Sequence, residues 1–210
     1  MFNHKNFFFI LVASLLTTVG NAAVRNCISS GNWSAGSTWV EGSSPSLGDT
    51  ARVFNNATVT IDVLGASCSV LELGFSSTNG RVEITSLVGF LTVTNRITLG
   101  EGAGTGTIYM TDGNLVIGGS VDDVNGSIDA QGGTIKYGLL TASNQTILPA
   151  TYHNLILGPG TKTAGGNLIV KGYLHIQSSS TFKAGSYSHS IYGDWNNEGT
   201  FSAGTSTIRL

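Results

Sequence analysis

From about residue 50 onward the chain alternates between apolar and polar positions with a period of two. Val59, Ile61 and Val63 fall on one side, and Thr58, Thr60 and Asp62 on the other. Leu91, Val93, Ile97 and Leu99 oppose Thr92, Thr94, Arg96 and Thr98. The pairs Ile108/Met110, Leu115/Ile117, Ile135/Tyr137, Leu155/Leu157, Leu168/Val170 and Leu174/Ile176 continue the pattern. Successive side chains of a strand point to opposite faces, so this alternation predicts half-buried β-strands. No stretch beyond the N-terminal apolar run carries helical i, i+3, i+4 spacing, and the expected class is all-β. Within the Leu91–Leu99 run, Asn95 falls on the predicted inward side, which marks a corner.

Glycines lie between these runs, at Gly100, Gly102, Gly104 and Gly106, Gly118-Gly119, Gly132-Gly133 and Gly165-Gly166. They are expected at corners that need positive φ. The chain has 29 glycines but 3 prolines, none inside a run, so strand pairing is not interrupted. A short pattern also returns three times: Ser127-Ile128-Asp129-Ala130-Gln131, Thr181-Phe182-Lys183-Ala184-Gly185 and Thr200-Phe201-Ser202-Ala203-Gly204. The triplets Gly113-Asn114-Leu115, Gly166-Asn167-Leu168 and Gly193-Asp194-Trp195 precede the three copies. Repetition of this kind predicts stacked turns. The expected fold is a right-handed parallel β-solenoid (a β-helix), with a β-sandwich of antiparallel hairpins as the alternative.

The N-terminus reads differently. Lys5 precedes the unbroken apolar run Phe7 to Leu16, and Gly20-Asn21-Ala22-Ala23 closes the segment. This is the layout of a secretory signal peptide cleaved after Ala22, and the run is half the length of a membrane span. The expected organisation is residues 1–22 as signal peptide, 23–65 as N-terminal cap and first strands, and 66–210 as solenoid repeats, incomplete at the C-terminus. The mature chain is expected outside the cytoplasm. The third copy stops in mid-strand, so further repeats or a cap are expected downstream, with self-association through an uncapped C-terminal rung.

Two stretches carry a family likeness. Trp33, Trp39, Gly42, Pro45, Gly48, Asp49, Val53, Val59, Ile61 and Asp62 form a pattern that resembles the opening of the secreted eight-glycine domain family. Gln145-Thr146-Ile147, Thr151 to Leu155, Gly160 to Thr163, Gly166-Asn167-Leu168, Gly193-Asp194-Trp195 and Gly199-Thr200-Phe201 are similar to repeats of adhesin-like parallel β-helix proteins on bacterial surfaces. The resemblance implies an exported structural or adhesive module, in some relatives attached to catalytic domains. It brings over no catalytic residues, because the shared positions are turns and core.

Composition narrows the partners. Charged residues make up 10% of the chain, 10 basic against 12 acidic, without a basic patch, which argues against nucleic acid. No second long apolar run exists, so no membrane span is expected in the mature chain. Surface glycans or other surface proteins remain as partners. Cys27 and Cys68, the two cysteines, are a disulfide candidate in an oxidising compartment.

Candidate chemistry is thin. Asp122, Asp123, Asn125 and Asp129 are weak calcium candidates, since an EF-hand register would put Val121 and Gly132 at ligand positions. His153, His175 and His189 are too far apart for a local metal motif. Gly158 to Thr163 lacks the glycine that precedes lysine in a phosphate loop. Asn32-Trp33-Ser34-Ala35-Gly36 misses the nucleophile-elbow pattern at its first position. Glu72, Glu83, Asp112 and Asp129 could pair across rungs, as glycosidase carboxylates do. Tyr173, Tyr187, Tyr192 and Trp195 are glycan-stacking candidates, although Trp195 occupies the slot of Leu115 and Leu168 and reads as core. The expected function is non-catalytic and needs no cofactor, the alternatives being a carbohydrate-binding module or the non-catalytic front part of a polysaccharide-degrading β-helix enzyme.

Overall fold

The computed structural model describes residues 22–210; the apolar N-terminal run lies outside the described residues. The alternation is realised as a parallel β-solenoid of about eight turns. The last four turns show the plan. Thr134–Tyr137, Gln145–Ile147 and Thr151–Tyr152 form one turn, and Asn154–Leu157, Gly160–Ala164 and Ile169–Val170 the next. Leu174–Ile176, Ser180–Lys183 and Ser188–Ile191 follow, then Trp195–Asn197, Thr200–Ser202 and Thr207–Arg209. Each strand pairs in parallel with its counterpart one turn away, which gives three faces, numbered here in that order.

In the earlier turns two long strands, Ala66–Leu73 and Phe90–Leu99, each serve two faces. Their register slips between Cys68 and Val70. Before the slip they lie under Asn114–Ile117 on the first face, and after it between Thr50–Val53 and Ser120–Asp123 on the second. Asn95 sits at this bend and is exposed, because the chain turns a corner there and the alternation misses a step. The third face carries Gly31–Asn32, Ala57–Thr60, Gly80–Ile84, Gly106–Met110 and Gly126–Ala130.

Inward residues stack in columns. Ala66, Leu91, Leu115, Ile135, Leu155, Leu174 and Trp195 form one, and Cys68, Val93, Ile117, Tyr137, Leu157 and Ile176 the next. All but Trp195 are buried, and each full-sized aliphatic side chain so placed contributes about 1.5–3 kcal/mol relative to exposure. Gly80, Gly106 and Gly126 stack at one corner for a different reason. A Cβ on Gly80 would lie 1.9 Å from the Val53 carbonyl oxygen, and one on Gly126 2.2 Å from that of Gly106. Here glycine is required by space, not by positive φ.

The repeat itself is partly illusory. Thr181-Phe182 stacks on Thr200-Phe201 on the second face, as the likeness suggests. Ser127-Ile128 instead lies on the third face, paired with Thr107-Ile108. Likewise Leu115 shares a column with Trp195, whereas Leu168 belongs beside the third face. Short polar-apolar-polar words recur on every face, so matching words need not mean matching positions.

The first face runs unbroken, but the other two are each split at one level. Ser120–Asp123 does not pair with Gln145–Ile147, nor Gly126–Ala130 with Thr151–Tyr152. The loop of residues 138–144 enters at this level. Gln145 closes the gap from within: its Nε2 donates to the carbonyls of Ile117 and Gly119, each at 2.8 Å.

The two ends differ. At the N-terminal end residues 38–40 run antiparallel to the first strand, Val24–Asn26, with Ile28 N–H on the Thr38 carbonyl and Val40 N–H on that of Asn26, each at 2.8 Å. Trp33 and Trp39 meet edge to face at 5.2 Å beneath the core, and Trp39 Nε1 donates to the Trp33 carbonyl at 2.9 Å. This segment covers a strand edge. In the last turn Trp195, Phe201 and Ile208 are half-buried against the core, one from each face.

The disulfide candidate is not formed: Cys27 and Cys68 are both free and buried. The Cys27 sulfur accepts the Phe54 N–H of the next turn at 3.4 Å, while Cys68 packs inward on another face, in the strand that opens the third turn. Burial pushes both thiols above their ordinary pKa. Among the described residues no helix is long and apolar enough to cross a membrane.

Candidate functional site

The alternation that sends Leu91, Leu115, Ile135 and Leu155 inward sends Thr92, Val116, Lys136 and Ile156 outward, stacked in register on the first face. Two loops rise beside this row. One carries Leu47 and the other is the inserted loop, with Leu139 and Leu140. Between them lies an open groove of about 640 Å³, floored by Thr92, Val116 and Ile156, with Phe90 and Lys136. Leu47 is 57% exposed and Leu140 93%.

A lysine supports the groove from below. Lys162 sits in a strand with its side chain inward and fully buried. Its Nζ donates to the carbonyls of Ser143 and Pro159 at 2.6 and 2.7 Å, which ties down the inserted loop. Burial, with the positive charge of Lys136 added, brings its pKa down to about 8. Lys136 itself makes no ion pair among the described residues. The sequence stretch Gly158 to Thr163 is therefore a corner leading into a strand, and its lysine is core.

A polar depression of about 570 Å³ adjoins the groove, sharing Asn114 and Thr134 with it and adding Asp112, Gln131 and His153. Asn154 Nδ2 donates to Thr134 Oγ1 at 3.4 Å, and the Asn154 Oδ1 accepts the Tyr173 N–H at 3.2 Å. These short polar side chains extend the first face towards the corner.

On the other two faces of the earlier turns, several outer charges pair with one another. On the second face Arg52 meets Glu72 at 2.7 Å, and Arg96 lies 3.7 Å from Glu72 and 4.0 Å from Asp122. On the third, Arg81 binds Glu83 at 2.7 Å and lies over the Tyr109 ring. The carboxylates weighed as a hydrolytic pair are thus divided: Glu72 and Glu83 hold arginines on separate faces, Asp112 accepts the Gly113 N–H, and Asp129 accepts Gln131 Nε2.

The calcium candidates are likewise dispersed. Asp122 faces Arg96, Asp123 accepts the Gly126 N–H at 3.0 Å, and Asn125 Nδ2 reaches the Gly104 carbonyl at 3.4 Å. Asp129 is on the next strand. Among the described residues no three His, Cys, Asp or Glu side chains converge. His153 lines the polar depression and His175 lies 3.4 Å from Glu198. His189 is buried: its Nδ1 accepts the Leu168 N–H, so Nε2 carries the proton donated to the Ala184 carbonyl.

The four rings weighed for glycan stacking do not form a row. Tyr173 is half-buried beside Thr134, Tyr187 packs near His189, and Trp195 meets Phe201 edge to face at 5.0 Å. Tyr192, 73% exposed, is the freest of them.

One buried carboxylate stands apart from all of these. Asp49 is 3% exposed, and its oxygens accept the Ala23 N–H, the Ser46 N–H and the Ser46 hydroxyl, each at 2.9 Å, with Arg25 Nε at 3.4 Å. Burial by itself pushes this carboxyl up, but the donors outweigh it and hold the group below the ordinary aspartate range. In the sequence Asp49 stands out only as one position of the Trp33–Asp62 pattern, which gives no sign of its partner some 25 residues away.

Comparison with protein families, curated proteins and solved structures returns no match at any of these levels. The parallel solenoid stands on the structure alone, and the likeness to eight-glycine and adhesin-like families gains no support from the comparisons.

Proposed function

We propose that this chain is an exported, non-catalytic solenoid module of a bacterial surface or extracellular protein, and that it works as an adhesive surface. The observation that carries the reading is the groove on the first face. A contiguous apolar patch rimmed by polar residues marks an interaction surface or a binding groove. It rests on the one sheet that is continuous through the solenoid, a rigid platform that places its residues without help from a partner. Export is supported by the N-terminal layout of the sequence, and the outer carboxylates that could serve hydrolysis are engaged with arginines, a backbone N–H and a glutamine side chain.

Binding of the purified mature chain to immobilised bacterial and host surface material tests the reading. Leu140→Asp and Ile156→Glu are expected to abolish retention while leaving the melting temperature within a degree or two. Retention that survives both substitutions, or release of sugars from a polysaccharide by the chain alone, overturns it. The carbohydrate-binding alternative draws on the adjoining polar depression, where Asp112, Gln131, His153 and Asn154 offer hydroxyl-recognising groups. A glycan array separates the two readings, since sugar binding there should respond to Asn154→Ala and not to Leu140→Asp.

A further inference from the structure

The contact between Ala23 and Asp49 offers more than a hydrogen bond. The nitrogen of Ala23 lies 2.9 Å from Asp49 Oδ1, while Ala22 immediately before it is exposed. The same alanine accepts the Thr50 N–H through its carbonyl at 2.8 Å, so residue 23 is fixed from both sides. Asp49 is equally committed: its backbone carbonyl receives the N–H groups of Ser69 and Val70, at the bend where the first long strand changes face. The charged and titratable groups around the carboxylate are Arg25 and the buried Cys68 thiol.

We propose that the bond between Ala22 and Ala23 is a processing site whose product is received by Asp49, an inference that rests on the export reading above. Hydrolysis takes up one water, leaves a carboxylate on Ala22 and releases an α-ammonium on Ala23. That ammonium occupies the position of the peptide nitrogen, so it reaches Asp49 without any rearrangement. A neutral amide donor becomes a cation against a buried carboxylate, which adds the attraction of opposite charges to a bond that the carboxylate's charge already strengthens. Removal of the leader thereby fastens the first turn to the bend of the third through one residue, by its side chain on one side and its backbone carbonyl on the other.

The sign of the pH dependence follows. An ammonium that gains a carboxylate partner titrates higher in the folded state than in the unfolded one. Its contribution is complete below the ordinary α-amino range of about 7.7–8.0 and fades as pH rises through the higher folded value.

Three forms of the chain test this: one beginning at Ala23, one beginning at Asn21, and one beginning at Ala23 with its amine acetylated. The acetylated form keeps the N–H donor and loses the charge. The free-amine Ala23 form is expected to melt several degrees above both others at pH 7, with the gap closing at high pH and vanishing in Asp49→Asn. Its α-amine, followed by NMR, should titrate above the ordinary range. Equal melting of the three forms at pH 7, or an α-amine titrating in the ordinary range, overturns the ion pair. N-terminal sequencing of protein exported by the native cell reads the processing site separately: a first residue other than Ala23 overturns it, and material retained unprocessed in the cytoplasm overturns the export reading beneath it.

Discussion

The hydroxyls of Tyr137 and Tyr152 lie 3.1 Å apart inside the solenoid, on the first and third faces of a single turn. Leu148 closes the circuit. Its N–H donates to the Tyr137 oxygen at 3.2 Å, and its carbonyl accepts from the Tyr152 hydroxyl. Because Tyr152 spends its proton on Leu148, Tyr137 donates to Tyr152. Two large side chains thus span the core at the level where two faces are split, and they satisfy the backbone that the split leaves unpaired.

Tyr152→Phe is expected to cost about 1–3 kcal/mol in denaturant unfolding, because the Leu148 carbonyl loses its donor. The double variant with Tyr137→Phe should cost less than the two single changes added together, as one circuit cannot be broken twice. Burial raises both phenols above the ordinary tyrosine pKa, so these two rings should stay neutral in alkaline spectrophotometric titration until the chain unfolds. Additive costs, or two phenols ionising normally in the folded protein, contradict the circuit.

Lys162 gives an opposite pH signature. Its folded pKa of about 8 lies below the ordinary 10.5, so between those values the unfolded chain binds more protons and Lys162 disfavours folding less as pH rises. Neutral lysine keeps two N–H donors, which suffice for the Ser143 and Pro159 carbonyls. Measured against Lys162→Met, stability should shift in favour of the natural chain between pH 8 and 10.5. Titrations of the buried cysteines and tyrosines are common to both proteins and cancel. A difference independent of pH would show that the ammonium is not desolvated.

Phe182 and Phe201 stack on the second face with centroids 5.8 Å apart, but Phe182 is 1% exposed and Phe201 half-buried. Phe182→Ala is expected to cost about 3–5 kcal/mol and Phe201→Ala clearly less. Equal costs in chemical denaturation would mean that the last turn is covered in solution.

Gly106→Ala should prevent folding or lower the melting temperature severely. A Cβ there would lie 2.5 Å from both the Gly100 nitrogen and the Leu73 carbonyl oxygen, and neither belongs to a side chain that can swing away. Circular dichroism of the purified variant decides it; a native-like spectrum and melting curve would place the corner glycines among the replaceable ones.

Alternation made the strands and their inward residues legible in the sequence, since each side chain's direction depends only on its neighbours. Face assignment was not legible, because it depends on how many residues each corner consumes. Ser127-Ile128 and Thr181-Phe182 look alike and lie on different faces for that reason. Asn95 was expected inward through counting across a bend. Lys162 sat in a stretch resembling a turn, yet its strand neighbours Thr161 and Thr163 already place it on the opposite side. The groove could not be found from one segment, since its wall at Leu47 and its wall at Leu140 are far apart in the chain. The Ala23–Asp49 contact was hidden by the same distance.

The antiparallel segment at Trp39 also gives the molecule a direction in time. Apart from Gln145–Ile147 and Thr151–Tyr152, every later strand pairs with a strand one turn behind it, about 17 to 28 residues upstream. The covered end is the one that leaves a ribosome or a translocation channel first. Each emerging turn can therefore settle on a finished predecessor, and each settlement opposes backsliding of the chain. On the export reading proposed above, folding would then act as a ratchet that draws the polypeptide outward, with the tryptophan-sealed end as its first tooth.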